Sequence, residues 1–265
     1  MNTQVLQQVQ NRTMKQYRKN PVELLKWLKN NLPNEKIVMG TGFGPPGIVL
    51  LDMLFKVTRD ISVFYIDTGF LFDQTYELRD KLQDRYGFKF LRFSTDMTPE
   101  MQADQYGDKL WDKNPDTCCN LRKVIPLKDA LKDYDVWITG IRKKQTQVRK
   151  EADLIEFESR FEVIKINPLI EWTHDEVWDY IKSHNLPYNP LHDNNYPSIG
   201  CKQCTSPVLL GNDDRSGRWE GSKKTECGLH KCSSIPINGF KGKLYKEFFL
   251  TNILLTFELY FLAKL

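Results

Sequence analysis

The chain has 265 residues, and its 40% of apolar residues suffices for the core of one large α/β domain with appendages. Its formal charge of +4, from 38 basic and 34 acidic residues scattered along the sequence, suits a small anionic substrate. The charge is too small, and the usual motifs are absent, for nucleic-acid binding. The polar stretch from Met1 to Lys19 has no compact apolar segment of a secretory leader, so we expect a cytoplasmic protein with free thiols.

The N-terminal segment, residues 1–35, is predicted to contain two helices that are separated at Pro21, because proline breaks a helix but suits its first turn. The apolar face of the second helix is formed by Val22, Leu25, Leu28 and Leu32.

Short runs rich in Val, Ile and Phe alternate with helical segments after residue 35. We predict five strands, at Lys36–Met39, Ile61–Ile66, Phe88–Phe93, Asp135–Thr139 and Phe161–Ile166. The helices between them are predicted at 47–57, 73–86 and 120–132. This alternation predicts the fold class α/β, with a mostly parallel, doubly wound sheet.

A capping box marks the start of one more helix, because Thr173 is followed three residues later by Glu176. The helix is predicted to end near Asn185. Residues 186–217 are dense in Pro, Asn, Asp and Gly and are therefore predicted to be a loop.

A glycine-rich turn, Gly40 to Gly47, joins the first predicted strand to a helix. Gly42 and Gly44 leave backbone N–H groups accessible near a helix start, which suits a phosphate or sulfate group. The turn lacks the Lys-Ser/Thr ending of a Walker loop and the spacing of a dinucleotide fingerprint. A tight turn that simply needs small residues remains the alternative.

The second predicted strand leads into Asp67, Thr68 and Gly69 at the edge of the sheet where open α/β folds bind ligands. These residues are candidates for contacts with a ribose or an adenine. An ordinary Asx turn is the alternative.

Four cysteines form two pairs, Cys118 with Cys119 and Cys201 with Cys204, and supply four soft thiolate ligands. Adjacent cysteines do not easily form a disulfide with each other. Zinc accepts four thiolates but usually takes two Cys-x-x-Cys pairs, whereas an iron-sulfur cubane distributes its ligands over several irons and tolerates an adjacent pair. Buried, inert thiols are the third alternative.

A further cysteine, Cys227, lies among basic residues and next to His230 in the sequence Glu-Cys-Gly-Leu-His. Positive charge favours the thiolate, so Cys227 is a candidate nucleophile, with an unremarkable surface cysteine as the alternative. Cys232 has no obvious partner. Basic residues that together suit an anion are Lys123, Arg142, Arg149, Arg215 and Arg218.

Six stretches of the sequence, taken together, resemble the assimilatory adenylyl-sulfate (APS) reductases of the phosphoadenosine phosphosulfate (PAPS) reductase family. They are Cys118 to Leu127, Thr139 to Gln145, Asn167 to Leu169, Pro187 to His192, Tyr196 to Thr205 and Gly217 to His230. The resemblance covers roughly residues 36–231.

The resemblance implies an adenine nucleotide alpha-hydrolase-like fold with a mobile C-terminal active-site segment. It implies that residues 118, 119, 201 and 204 hold a [4Fe-4S] cluster and that Cys227 attacks the sulfur of APS to give an S-sulfonate. Thioredoxin or glutaredoxin would then release sulfite. The glycine-rich loop and residues 67–69 would seat the nucleotide, and the basic residues and His230 would contact the substrate.

Retention of all four paired cysteines favours APS over PAPS, although some members of the family accept both. The loop from Gly42 to Gly47 departs from the Ser-Phe-Gly-Ala-like form of many members, which leaves discrimination of a 3′-phosphate open. An adenylating enzyme of the ATP-pyrophosphatase type would need a different loop. The non-enzymatic alternative is an iron-sulfur or thiol redox sensor, and a homo-oligomer is compatible with either reading.

The resemblance divides the chain into four parts. Residues 1–35 are N-terminal helices, 36–210 the nucleotide-binding and iron-sulfur reductase domain, 211–231 the catalytic cysteine segment and 232–265 an extension of unknown role. The apolar run at 248–263 has an internal Asn and Glu and is short for a membrane span, so we expect a docked helix or an extension rather than an anchor.

Overall fold

The strands of the computed structural model, which describes residues 12–209, 211–230 and 235–236, form a single sheet. They are β1 (Ile37–Gly40), β2 (Ser62–Asp67), β3 (Leu91–Ser94), β4 (Val136–Ile138), β5 (Ile155–Glu158), β6 (Val163–Ile166) and β7 (Ile235–Pro236). Their order across the sheet is β3-β2-β1-β4-β6-β5-β7. The order reverses at β1, so the connections that leave β1 and β4 diverge and a crevice lies between them.

The five strands from β3 to β6 in this order pair in parallel, whereas β5 pairs antiparallel with both β6 and β7. This confirms the prediction of a mostly parallel sheet. All five predicted strands are present, with ends that differ from the prediction by at most three residues, but β5 and β7 were not predicted. In β5, Glu156 and Glu158 are 1% and 0% exposed, so a strand that looks half-polar in sequence is buried.

The α-helices cover both faces of the sheet. They are α1 (Pro21–Asn31), α2 (Pro45–Val57), α3 (Asp73–Tyr86), α4 (Pro99–Tyr106), α5 (Leu110–Lys113), α6 (Pro115–Cys119), α7 (Ile125–Leu131) and α8 (His174–Ser183). Short 3₁₀ helices lie at Arg12–Lys19, Lys143–Gln145, Gln147–Glu151, Pro190–Asn194 and Lys202–Cys204.

Alternate residues of β1 enter two separate apolar clusters, because successive side chains of a strand point to opposite faces. Met39 packs with the larger cluster, which contains the buried faces of α1, α2, α3 and α8. Val38 packs with the smaller cluster, which includes Leu127 of α7. A sheet with helices on both faces is the predicted doubly wound arrangement.

Local signals place several helix ends correctly. Helix α1 begins at Pro21, as predicted. The capping box of α8 is formed, with Glu176 N donating to Thr173 Oγ1 at 3.2 Å and Thr173 N donating to Glu176 Oε2 at 2.7 Å. The predicted helix at 120–132 needs correction: helical structure starts at Pro115 and passes through a π-helix, Asn120–Val124, before α7. The π-helix carries Arg122 and Lys123, which are both buried.

The apolar run at 248–263 and Cys232 lie outside the described residues. Within the described residues, no helix combines the length and the apolar character that crossing a membrane requires. The division of the chain at residues 35, 210 and 231 stays a prediction. The described part of residues 1–35 contributes to the main core, because Leu24, Leu25 and Leu28 of α1 belong to the larger cluster.

Candidate active site

A cavity of about 630 Å³ opens beside the carboxyl ends of β1, β2 and β4. This is the position at which open α/β sheets bind ligands, because the connections that leave neighbouring strands diverge there. Most of the predicted site residues line it. They are Gly42, Gly44, Thr68, Lys123, Arg142, Arg149, Cys201, Arg215, Arg218, Cys227 and His230.

The glycine-rich loop forms one wall of this cavity. A Cβ atom added at Gly42 or Gly44 would meet no atom within 4 Å, so space for a ligand lies directly against the backbone. Phe43 between them has a left-handed φ of 59° and its side chain is buried in the core. Helix α2 begins with two prolines, which lack N–H groups, so the loop offers fewer backbone donors than a Walker loop does.

The three residues Asp67, Thr68 and Gly69 at the end of β2 have different positions relative to the large cavity. Thr68 lines the cavity, whereas Asp67 and Gly69 do not. Gly69 N donates to Asp67 Oδ1 at 2.9 Å, and Tyr76 and Arg92 also bind this carboxylate. Burial acts to raise the pKa of Asp67, but these hydrogen bonds bring it below its ordinary value. The structure therefore shows the Asx turn that was the alternative reading for these two residues.

A second, enclosed cavity is lined by the four paired cysteines, which come from two distant parts of the chain. Its lining residues are Phe70, Trp111, Pro115, Cys118, Cys119, Arg122, Lys123, Cys201, Gln203 and Cys204. Cys118 and Cys119 end helix α6, whereas Cys201 precedes a short 3₁₀ helix that ends at Cys204. The loop that carries Cys201 is fixed to the segment after β2 because Lys202 N donates to Phe70 O at 2.7 Å. We name this space the thiol cavity.

Burial opposes ionisation of Cys118, Cys119 and Cys204 in this cavity, and neighbouring thiols add to its effect. Burial, with the nearby Cys119 and Cys201, raises the pKa of Cys118 to about 11. Burial, followed by Cys201, raises the pKa of Cys204 to about 12. Burial also raises the pKa of Cys119. In the described part of the chain, no group of three or more His, Cys, Asp or Glu side chains is arranged to hold a metal ion.

Cys227 has a different environment, because it lines the large cavity and is half-buried. Burial acts to raise the pKa of its thiol, but Lys123, the backbone N–H of Leu229 and Arg218 outweigh burial and lower the pKa below its ordinary value. The structure thus places a readily ionised thiol beside the space for a ligand.

Three buried cations line the large cavity. They are Lys123, Arg142 and Arg218, which are only 7%, 7% and 9% exposed. Arg142 Nη1 donates to Trp172 O at 3.2 Å, and Arg218 Nη1 donates to Ser198 Oγ at 3.3 Å. Among the described residues, none of the three cations forms an ion pair with a carboxylate. Buried charge without a counter-charge is costly, so the cavity is suited to an anion.

Two further arginines are held by a residue next to Cys227. Arg149 Nη2 lies 3.0 Å from Glu226 Oε2, and Arg215 Nη2 lies 3.4 Å from the same oxygen. Thr146 Oγ1 donates to the other carboxylate oxygen at 3.0 Å. The Glu226 side chain is 9% exposed and does not line the cavity itself. It therefore binds and orients both guanidinium groups without occupying the space for a ligand.

His230 is stacked on Trp137, with ring centroids 5.2 Å apart and planes inclined by 13°. Burial, together with the positive charges of Lys165, Arg149 and Arg160, lowers its pKa well below the ordinary value. His230 is therefore neutral at neutral pH.

Sequence reasoning missed Glu226, Thr146, Trp137 and Arg160 as parts of the site. Arg160 donates to the backbone carbonyl groups of the residues that follow Cys227. For Glu226, its place beside Cys227 was an available signal. The other three residues lie far from Cys227 in sequence, and no local pattern indicates their proximity.

Comparison with known proteins gives consistent matches. The phosphoadenosine phosphosulfate reductase domain matches residues 36–207. An adenosine 5'-phosphosulfate reductase of Halalkalibacterium halodurans is 45% identical over 215 residues, which cover 81% of this chain and 93% of that protein. Adenosine 5'-phosphosulfate reductase 2 of Bacillus subtilis is 46% identical over 211 residues, 79% of this chain and 89% of that protein.

A solved structure has a similar fold. The crystal structure of phosphoadenylyl-sulfate (PAPS) reductase from Candida auris, in a phosphate complex, aligns with a TM-score of 0.65 and 31% identity. The alignment covers 78% of this chain and 98% of that one. The similarity confirms the predicted fold class.

Proposed function

Because the chain belongs to the phosphoadenosine phosphosulfate reductase domain family, we propose that it reduces adenylyl sulfate to sulfite and AMP in sulfate assimilation. The proposal depends mainly on the lining of the large cavity. Three buried cations without carboxylate partners line this cavity together with Cys227, whose thiol has a lowered pKa. A phosphosulfate supplies the missing anion, and its sulfur is the electrophile that such a thiol attacks.

The first step is attack of the Cys227 thiolate on the sulfur of APS. A bond forms between the two sulfur atoms, and the bond from the substrate sulfur to the bridging phosphate oxygen breaks. AMP leaves with that electron pair, and an S-sulfonate remains on Cys227. Charge accumulates on the sulfonate oxygens and on the departing phosphate, so Lys123, Arg142 and Arg218 stabilise the transition state electrostatically.

The second step uses a dithiol reductant of the thioredoxin or glutaredoxin class. One of its thiolates attacks the Cys227 sulfur and displaces sulfite, which leaves a mixed disulfide. The second thiol of the reductant then attacks the reductant's sulfur in this mixed disulfide, which forms a disulfide within the reductant and releases the Cys227 thiol. The reductant supplies both electrons, and the free Cys227 is ready for another turnover. A reducing compartment such as the cytoplasm suits this chemistry.

The four residues of the thiol cavity, Cys118, Cys119, Cys201 and Cys204, are proposed to hold a [4Fe-4S] cluster. Thiols are the ligands of such a cluster, all four of these residues line one cavity, and a cubane does not require four sulfurs to converge on one metal ion. Buried Arg122 and Lys123 suit the negative charge of a thiolate-ligated cluster. When bound, the cluster would supply negative charge beside Lys123 rather than electrons.

Adenylyl sulfate is favoured over its 3′-phosphorylated analogue by the names of the relatives at 45% and 46% identity. The similar Candida auris structure is named for PAPS. Both nucleotides therefore belong in the test, and a homo-oligomer is compatible with the proposal.

The test is an anaerobic assay of labelled sulfite with thioredoxin, using APS and PAPS in parallel and comparing the wild-type chain with Cys227→Ser. We expect sulfite from APS with the wild type and at least about 10³-fold less with the variant, because Ser is a far weaker nucleophile. Equal sulfite formation by the variant would remove Cys227 from the mechanism. A wild-type chain that binds reductant but turns over neither nucleotide would support the redox sensor instead.

A further inference from the structure

The turn between β5 and β6 contacts the residues that follow Cys227. Arg160 Nη1 donates to Gly228 O at 2.7 Å, and its Nη2 donates to Leu229 O at 3.1 Å. One guanidinium thus binds two successive backbone carbonyl groups directly after Cys227. The planar, bidentate donor geometry of arginine fixes the direction of these carbonyl groups as well as their distance.

Arg160 is itself held rigidly. Its Nε lies 2.9 Å from Glu158 Oε1, and its Nη2 lies 2.8 Å from Glu158 Oε2. Glu158 is completely buried, and the guanidinium carbon lies 4.8 Å from the centre of the Phe161 ring. A two-point ion pair of this kind, formed to a buried carboxylate, gives Arg160 one preferred orientation.

The same hairpin is bound by the chain on the far side of the Cys227 motif. Strand β7 pairs antiparallel with β5, with Ile235 opposite Phe157 and Pro236 opposite Glu156. Before the thiol, Glu226 holds the chain to Arg149 and Arg215. The Cys227 segment, which we define as residues 226–230, is therefore held at the cavity by Glu226 and at the sheet by Arg160.

We propose that Arg160, oriented by Glu158, is a positioning residue that holds the Cys227 segment against the β5–β6 hairpin and so keeps the thiol in the large cavity. This inference rests on the proposed function for its catalytic consequence. Its structural consequence, the limited access of reagents to Cys227, stands independently of the reaction.

The two steps place opposite demands on this contact. Attack on the substrate needs the Cys227 sulfur in the cavity, where the cations are, so it requires the contact. Displacement of sulfite needs the same sulfur to be reached by a second protein, so it requires the segment to separate from the hairpin. Loss of the Arg160 contact therefore slows the first step and leaves the second unchanged or faster.

Arg160→Gln removes both carbonyl contacts, and Arg160→Lys keeps the charge without the bidentate geometry. Glu158→Gln keeps the shape of the carboxylate but removes the charge that orients Arg160. Arg85→Gln is a matched control, because Arg85 also donates to two successive carbonyl groups, those of His184 and Asn185, at 3.2 and 3.0 Å. Neither of these carbonyl groups belongs to a residue that lines the cavity.

The first measurement is the rate at which iodoacetamide alkylates Cys227 without substrate, located by peptide mass spectrometry. Arg160→Gln should accelerate it about tenfold, Arg160→Lys and Glu158→Gln less, and Arg85→Gln not at all. Iron content and thermal stability, measured in parallel, should be those of the wild type for Arg160→Lys. An unchanged alkylation rate in all three variants at positions 158 and 160 would overturn the inference.

The second measurement separates the two steps. In a single turnover without reductant, Arg160→Gln should form the S-sulfonate about tenfold more slowly than the wild type. Release of sulfite from a preformed S-sulfonate by thioredoxin should be at least as fast as in the wild type. Equal slowing of both steps would indicate a general structural defect and contradict a positioning role. If the wild type forms no S-sulfonate, the proposed function fails, and the alkylation rates alone decide the role of Arg160.

Discussion

The thiol cavity and the large cavity share Lys123 and Cys201 in their linings, yet they affect cysteine in opposite ways. In the thiol cavity, burial and neighbouring thiols raise the pKa values of Cys118 and Cys204. In the large cavity, cations and a backbone N–H lower the pKa of Cys227 despite its burial. Burial alone therefore does not decide whether a thiol is reactive, because positively charged neighbours can outweigh its effect on the pKa.

The largest expected difference between the two cavities concerns iron. Cys118→Ser should lose most of the bound iron and its visible absorbance, because an alcohol replaces a thiolate ligand. Cys227→Ser should retain both. Iron and absorbance are measured on protein purified anaerobically. Iron retained by Cys118→Ser, or zinc found in place of iron in the wild type, would contradict the proposed role of the thiol cavity.

The second difference concerns anion binding. Arg142→Gln removes a buried cation that lines only the large cavity, so KM for APS should rise roughly 10- to 100-fold, the loss of one or two charge-assisted hydrogen bonds. Iron content should not change. Arg59→Gln, at an exposed arginine outside both cavities, is the control for loss of charge. A KM equal to that of the wild type would show that the anion binds elsewhere.

The third test concerns the pH dependence of the two kinds of thiol. A cation lowers a thiol pKa by stabilising the thiolate, so alkylation of Cys227 should reach half its maximal rate below the ordinary cysteine pKa. Lys123→Met should move this midpoint to higher pH, since Lys123 is the strongest influence that lowers the pKa. The rate is followed by peptide mass spectrometry across a pH series. A midpoint in the variant that is unchanged or lower would rule out this role of Lys123.

The smallest expected effect lies outside both cavities, where Asp52 accepts hydrogen bonds from Tyr86 and Tyr180 at 2.8 Å and pairs with Lys56. Burial acts to raise the pKa of Asp52, but these partners lower it. Its contribution to stability is therefore complete above the unfolded-state pKa of about 3.9 and is lost as the pH falls through the folded-state value.

Asp52→Asn should reduce the free energy of unfolding by about 1–2 kcal/mol at pH 7, and the difference from the wild type should shrink in acid. Chemical denaturation at several pH values measures it. KM for APS should not change, and a large change in KM would show that this network is coupled to the site.

Much of the sheet could be predicted from the sequence because most of its parallel strands are short runs rich in Val, Ile and Phe. Strand β5 could not, because Glu156 and Glu158 resemble exposed residues. Their burial depends on Lys165, whose Nζ lies 3.2 Å from Glu156, and on Arg160. A carboxylate can be assigned to the interior only when its cationic partner is known, and the pairing of Glu156 with Lys165 follows from the tertiary fold rather than from a local sequence pattern.

The candidate site likewise has parts that the sequence predicts and parts that depend on the tertiary fold. The cysteine pairs and the glycine-rich loop are local motifs, and the structure places them at the two cavities. The assignment of Asp67 and Gly69 to the nucleotide rested on their position after β2, but whether a carboxylate faces the ligand or its own turn depends on Tyr76 and Arg92. Contacts such as those of Arg160 depend on the tertiary fold and are absent from any short stretch of sequence.

The most direct test of the role of Cys227 is to mix the anaerobic wild-type chain with APS in the absence of a reductant and to map the products by peptide mass spectrometry. We expect stoichiometric AMP and one sulfonate group, on the peptide that contains Cys227, with the peptides of Cys118, Cys119, Cys201, Cys204 and Cys232 unmodified. AMP release without a sulfonate on Cys227, or a sulfonate on any of the other five cysteines, would contradict it.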